Sequence, residues 1–154
     1  EYANKKLTDS ISYAKRIQEA LLPDMHRAER LLPNSFVWWQ PKDIVSGDFY
    51  WVFEKNYQLV VVAADCTGHG VPGAFMSAVG IRTLHEIVAY QGIIEPEEIL
   101  EALDRHISAI FYQSGKYLRD GMDMTVCVVD RTPEYFQEAP PRTVRFAGAR
   151  NPLL

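Results

Sequence analysis

Two short runs hold the residue types that could do chemistry: Val45-Ser46-Gly47-Asp48-Phe49-Tyr50-Trp51 and Ala63-Ala64-Asp65-Cys66-Thr67-Gly68-His69-Gly70. In each, an aspartate, Asp48 or Asp65, ends or interrupts an apolar, strand-like stretch. A carboxylate beside a hydrophobic run is costly to bury unless it is paired, hydrogen-bonded or bound to a cation. The two flank one expected hairpin. If the hairpin brings them together, their repulsion calls for a divalent cation between them or a proton on one of them. Both therefore read as candidate metal ligands. From the residues alone, Asp65 serves equally well as a turn or cap residue, with the nearby glycines there for steric reasons.

The Asp65 run also reads as a strand-to-helix turn, where glycines let the backbone approach a ligand and the next helix points its amide dipole back at the strand end. Such a turn could cradle phosphate, and a nucleotide-binding domain built on Gly68 and Gly70 is a third reading. It is neither a Walker loop nor a dinucleotide fingerprint, because the lysine and hydroxyl of the first and the third-glycine spacing of the second are missing. His69 could shuttle a proton or orient phosphate, with an ordinary pKa of about 6.5; a structural role suits it better. Cys66 and His69 supply only two of the four ligands of a zinc site. Lys42 and Arg150 flank the acidic runs and could meet a substrate phosphate, against the plain alternative of solvated side chains. Arg82, Arg105 and Arg119 have no better claim. Asp120 and Asp123 read as a turn entering a strand rather than as further ligands.

The elements that must position these groups follow from periodicity. Leu7, Ile11, Ala14, Ile17 and Leu21 recur at helical spacing and Pro23 closes the run, giving an amphipathic helix over Leu7–Leu22. That face suits packing on its own domain and a short coiled-coil seam equally. Residues Phe36–Gln40 and Asp48–Glu54 read as strands, Lys55-Asn56-Tyr57 as a turn, and Gln58–Ala64 as a strand buried on both faces. Pro72 starts a helix running to about Tyr90 and stopped by Gly92; Pro96 starts another to Tyr112, ended by Gly115. Met124–Asp130 and Thr143–Ala147 are strand-like, separated by a loop with Pro133, Pro140 and Pro141. The aromatic group Trp38, Trp39, Phe49, Tyr50 and Trp51 reads as core and sheet packing rather than a platform for bases. Strands, two helices, then strands argue for an α+β fold with helices on a largely antiparallel sheet.

Composition narrows the field. The 154 residues are 47% hydrophobic and 12% aromatic, enough for one globular unit. Sixteen basic against 20 acidic residues give a net charge of −4, without the basic footprint of a nucleic-acid binder. Two cysteines, Cys66 and Cys127, make no disulfide framework and fit a reducing cytoplasm. No stretch approaches the roughly 20 apolar residues that cross a bilayer, so direct membrane insertion is not expected. The chain starts at Glu1 and stops after a strand and turn, so both edges are expected to be cuts within a longer protein.

Together these segments resemble the SpoIIE-like branch of the PPM-type, metal-dependent protein serine/threonine phosphatases of bacteria. The resemblance runs through Ser10-Ile11-Ser12-Tyr13-Ala14-Lys15-Arg16-Ile17-Gln18-Glu19-Ala20-Leu21-Leu22-Pro23, Pro41-Lys42-Asp43-Ile44-Val45-Ser46-Gly47-Asp48 and Asp65-Cys66-Thr67-Gly68-His69-Gly70-Val71-Pro72-Gly73-Ala74-Phe75-Met76. It continues through Asp120-Gly121-Met122-Asp123 and Phe146-Ala147-Gly148-Ala149-Arg150-Asn151-Pro152-Leu153. It implies an α-β-β-α sandwich of two antiparallel sheets flanked by helices, truncated at the C-terminus. Residues 1–23 would form a regulatory or linker helix and residues 24–154 an incomplete phosphatase-like domain. Asp48 and Asp65 match the family's first two acidic ligands and the backbone carbonyl of Cys66 its main-chain oxygen, around two Mn²⁺ or Mg²⁺ ions. Lys42 and His69 would lie toward the substrate phosphate.

The function implied is hydrolysis of phosphoserine or phosphothreonine by a water activated between two metals, on a signalling protein of the anti-sigma-factor-antagonist type. The family's remaining acidic ligands would fall after Leu154, so weak metal binding and little turnover are expected of this stretch alone. The N-terminal helix would join an upstream sensor to the site and is compatible with a homodimer. A catalytically inactive phosphatase-like interaction module is the alternative.

Overall fold

The computed structural model describes residues 2–33, 35–112, 120–131 and 143–151. The helix stop at Gly115, the loop prolines Pro133, Pro140 and Pro141, Arg119 and the terminal Pro152-Leu153-Leu154 lie outside the described residues.

The chain opens on α1 (Tyr2–Leu21), which ends just before Pro23, and α2 (Met25–Leu31), which begins where the Asp24 side chain accepts the backbone N–H of His26. Then come β1 (Phe49–Lys55) and β2 (Gln58–Cys66). They are joined at Asn56 and Tyr57, both at positive φ (50° and 62°), the backbone signature of a type I′ hairpin turn. Helix α3 (Gly70–His85) runs into a π-helical turn (Glu86–Tyr90), and α4 (Pro96–Tyr112) follows. Lys55 Nζ donates to the Val88 and Ala89 carbonyls, at 3.2 and 2.8 Å, satisfying acceptors that the helix end leaves open. Pro96 with Glu97 and Glu98 in the first turn suits the start of α4 sterically and electrostatically. Strands β3 (Met122–Asp130) and β4 (Val144–Ala149) complete one antiparallel sheet in the order β1-β2-β3-β4.

Strand alternation divides the sheet into two unequal faces. Phe49, Trp51, Val60, Val62, Ala64, Met124, Val126 and Val128 are buried against Met76, Ile81 and Leu84 of α3, Ile87 and Val88, and Ile99, Leu103 and Ile107 of α4. On the other face, α2 covers only the hairpin end, where Ala28 packs with Val52 and Leu59. Ala63, Val144 and Phe146 stay open there. The expectation that Gln58–Ala64 is buried on both faces is corrected accordingly. The α+β class holds, with helices on an antiparallel sheet; of the two sheets in the expected sandwich, the described residues contain one.

Two further expectations change. Residues 36–40 form no regular element and join no ladder, leaving Phe36 and Trp38 87% and 82% exposed; alternating residues need a neighbouring strand to become one. Trp38 is thus not core, whereas Phe49 and Trp51 are, and Trp51 stacks on Phe53 at 5.4 Å. In α1 the apolar stripe is not what the domain buries: Leu7 and Ile17 are exposed, and the one buried residue is Gln18. No helix among the described residues is long and apolar enough to cross a membrane.

Core and stripe predict opposite outcomes on truncation. Leu84 is fully buried, so Leu84→Ala is expected to cost about 2–5 kcal/mol of stability in urea unfolding. Ile17→Ala at the exposed stripe is expected to stay within about 0.5 kcal/mol.

Candidate metal centre

Asp48 immediately precedes β1 and Asp65 is the penultimate residue of β2, while Phe49 pairs with Ala64. The hairpin register therefore places the two aspartates side by side at the sheet end opposite the Asn56–Tyr57 turn. Their carboxyl groups are within hydrogen-bonding reach of each other, and the pKa of Asp48 is raised above its ordinary 3.8. Lost hydration is the first cause, followed by the hydrogen bond with Asp65 and repulsion from it. The Cys66 thiol senses both groups: burial first, then the charges of Asp48 and Asp65, push it up to about 12. A buried thiol so far from ionising makes a poor metal ligand, which leaves the Cys66 carbonyl as that residue's donor.

Glycines bring the two segments into contact. A Cβ on Gly47 would sit 2.8 Å from the Gly68 carbonyl oxygen and 3.1 Å from that of Cys66. A Cβ on Gly73 would meet the Gly68 oxygen at 2.6 Å and Gly47 Cα at 3.0 Å. Gly68 and Gly70, at φ of 92° and 63°, take left-handed conformations that turn the chain from β2 into α3. The Ser46 hydroxyl accepts the Asp48 N–H at 3.0 Å, fixing the bend that presents Asp48. Thr67 is tied across to Gly121 by its backbone N–H (2.8 Å) and its hydroxyl (3.2 Å), anchoring the turn to the entrance of β3.

The other candidates are placed unevenly. His69 is exposed at the start of α3, its Nδ1 2.9 Å from Asp43 Oδ2. Lys42 is exposed in the bend before Asp48 and forms no ion pair among the described residues. Arg82 pairs with Glu86 and lies over the Tyr90 ring, and Arg105 pairs with Glu101, so both have structural work away from the aspartates. Arg150 has φ of 57° and bridges to Met124. Asp120 stays in the turn, but Asp123 lies within β3, directly opposite Asp65 in the ladder. That reading of Asp123 is corrected: like charges facing across strands are destabilising, and only the long-range β2–β3 register reveals the pairing. Among the described residues, no three His, Cys, Asp or Glu side chains are grouped to hold a cation.

Two carboxylates in contact and an adjoining carbonyl make a hard, all-oxygen donor set that suits part of a Mg²⁺ or Mn²⁺ site. On these observations the residues fit the ion, as a partial set.

An antiparallel sheet with helices stacked on one face and two aspartates side by side at its end is the arrangement expected from the resemblance to PPM-type phosphatases. The match to a solved structure agrees: the SiaA-PP2C domain of Pseudomonas aeruginosa superposes with a TM-score of 0.72 at 34% identity, over 84% of this chain and 51% of that one. The model of the family described as Stage II sporulation protein E (SpoIIE) matches residues 55–149, and the chain belongs to that family. The RsbU and RsbW domains of Rv1364c from Mycobacterium tuberculosis match at 26% identity with a TM-score of 0.44, over 60% of this chain and 24% of that one. No curated protein matches the chain. The chain spans about half the length of the SiaA-PP2C domain.

Because the fold raises the pKa of Asp48, folding favours its protonated form over the ionised one more than the unfolded chain does. The associated stability is fully present below pH 3.8 and is lost as pH rises through the folded value. Asp48→Asn, which keeps the neutral form, is expected to raise the melting temperature of metal-free protein at pH 7, with the difference closing near pH 3. Calorimetry in chelator checks both. Gly47→Ala, whose added methyl must displace the Gly68 carbonyl, is expected to cost about 1–3 kcal/mol in chemical unfolding.

Proposed function

We propose that the chain is the part of a metal-dependent protein serine/threonine phosphatase domain that supplies the first acidic ligands, acting on a phosphorylated signalling protein of the anti-sigma-factor-antagonist type. The observation that carries this reading is the hairpin register, which sets Asp48 and Asp65 side by side at one sheet end, with Gly47 packed against the Cys66 carbonyl. Membership of the SpoIIE family and likeness to the SiaA-PP2C domain support it.

In this reading Asp48, Asp65 and the Cys66 carbonyl hold Mn²⁺ or Mg²⁺, two ions in a complete domain. Such ions supply positive charge that makes water a nucleophile near neutral pH and stabilises the attacking and leaving oxygens at phosphorus. The chain's own groups do the positioning. The hairpin sets the spacing of the carboxylates, and the start of α3 turns backbone N–H groups toward the same end. His69, whose Nδ1 lies 2.9 Å from Asp43, and the exposed Lys42 would meet substrate phosphate in this reading.

Residues 1–23 form the regulatory or linker helix in this proposal and residues 24–154 the phosphatase-like domain. The exposed Leu7, Tyr13, Ile17 and Leu21 of α1 would meet an upstream sensor or a second copy in a homodimer, in the cytoplasm. A second reading, a catalytically inactive interaction module, draws on the absence, among the described residues, of any group of three or more His, Cys, Asp or Glu arranged to hold a cation.

Titration calorimetry with Mn²⁺ tests the proposal. Saturable binding is expected, lost in both Asp48→Asn and Asp65→Asn, with little phosphate released from a phosphoserine protein by this chain alone. Absence of Mn²⁺ binding overturns the metal-site reading, and phosphoprotein binding in excess chelator favours the interaction module.

A further inference from the structure

We propose that the cleft between α3, α4 and the entrance of β3 docks the polypeptide segment beside the phosphorylated residue of the substrate, a segment carrying a bulky apolar side chain and a neighbouring lysine or arginine. This rests on the phosphatase reading above and names a feature of its substrate.

The cleft has two compartments. The larger, of about 840 Å³, lies between α4 and the sheet end at Gly121 and Ala149, with the buried side chains of Leu103, Ile107 and Met124 in its lining. The smaller, of about 330 Å³, is lined by Thr67, Gly68 and Phe75 among others, and the two share Phe111 and Asp120. Hollows of roughly 300–1,000 Å³ are the usual size of ligand sites. Two aromatic residues of the lining also face solvent: Phe75 is 70% exposed and Tyr112 78%. Apolar surface that continues from a hollow onto an open rim suits a polypeptide, which covers both, better than a small molecule held inside.

Charge selects the kind of polypeptide. Asp104 and Asp120 are exposed in the lining, against the one cation Arg150. Among the described residues none of the three is in an ion pair. The balance is negative, which favours a basic residue in the occupant over an acidic one.

Position ties the cleft to the metal centre. Thr67 and Gly68 of its wall follow Asp65 by two and three residues. The Thr67 N–H donates to the Gly121 carbonyl at 2.8 Å and its hydroxyl accepts the Gly121 N–H at 3.2 Å, so the turn after Asp65 and the wall at Asp120–Gly121 are joined. Asp120 is three residues from Asp123, which faces Asp65 across the ladder, a span of at most about 10 Å. An extended substrate advances about 3.3 Å per residue, so with its phosphate at the aspartates it lays residues about three to five positions away over the cleft.

Fluorescence anisotropy of the whole chain, in Mn²⁺ and again in chelator, tests this with labelled phosphoserine peptides. Adjacent Leu and Lys stand about four residues before the phosphoserine in one peptide and after it in another, and each has a control in which both are Ser. One of the Leu–Lys peptides is expected to bind at least about tenfold tighter than its control. Phe75→Ser, at an exposed position, should remove that difference. Asp104→Lys should weaken the Leu–Lys peptide and bind its Leu–Glu counterpart more tightly. Equal binding of the Leu–Lys and Ser peptides overturns the proposal, as does a preference that survives Phe75→Ser or an Asp104→Lys protein that still favours Lys over Glu. Should wild-type protein bind no Mn²⁺, the metal-site reading fails separately, and the peptide preference in chelator decides the cleft by itself.

Discussion

Backbone against backbone, with no side chain between, is the contact on which the candidate site depends. Gly47 meets the Cys66–Gly68 turn, and Gly73 presses on both. At this distance a methyl group cannot be inserted without moving a carbonyl. The three glycines therefore act as an absence of matter that lets two loops share one place. That close approach brings the segment carrying Asp48 against the turn that follows Asp65.

The approach has an electrostatic cost, met locally. Asp48 and Asp65 are adjacent, Asp123 faces Asp65 across the ladder, and the Cys66 thiol beneath them is held protonated. Hydrogen bonds accepted by the Ser46 and Thr67 hydroxyls, from the Asp48 and Gly121 N–H groups, hold the two supporting loops in spite of this repulsion. A scaffold that keeps like charges together through rigid backbone contacts is what an ion site needs before its ion arrives. A protein selected for stability alone would separate them.

Much of this was legible in the residues. Helices α3 and α4 announced themselves through Pro72, Pro96 and apolar periodicity, and the hairpin through its two apolar runs around Asn56. The convergence of Asp48 and Asp65 followed, since flanking one hairpin is a local relation. Three things were not legible, each for a physical reason. Helix α2 is only seven residues long, and its main signal is the Asp24 cap. Residues 36–40 alternate as a strand does, but alternation cannot show that a partner strand is present. Gln18 sits among the residues of an amphipathic pattern whose apolar stripe turned outward, so its burial is decided by Ser46 and Ser77, 28 and 59 residues away.

The tight turn at Asn56–Tyr57 has a kinetic meaning. Both aspartates flank the most local pairing in the sheet, whereas β3 can dock only after the chain has spanned α3 and α4. Hairpins close in about 1–10 μs, and loop-closure entropy delays contacts between distant segments. The topology thus lets the pair of carboxylates meet early, while the chain is still collapsing.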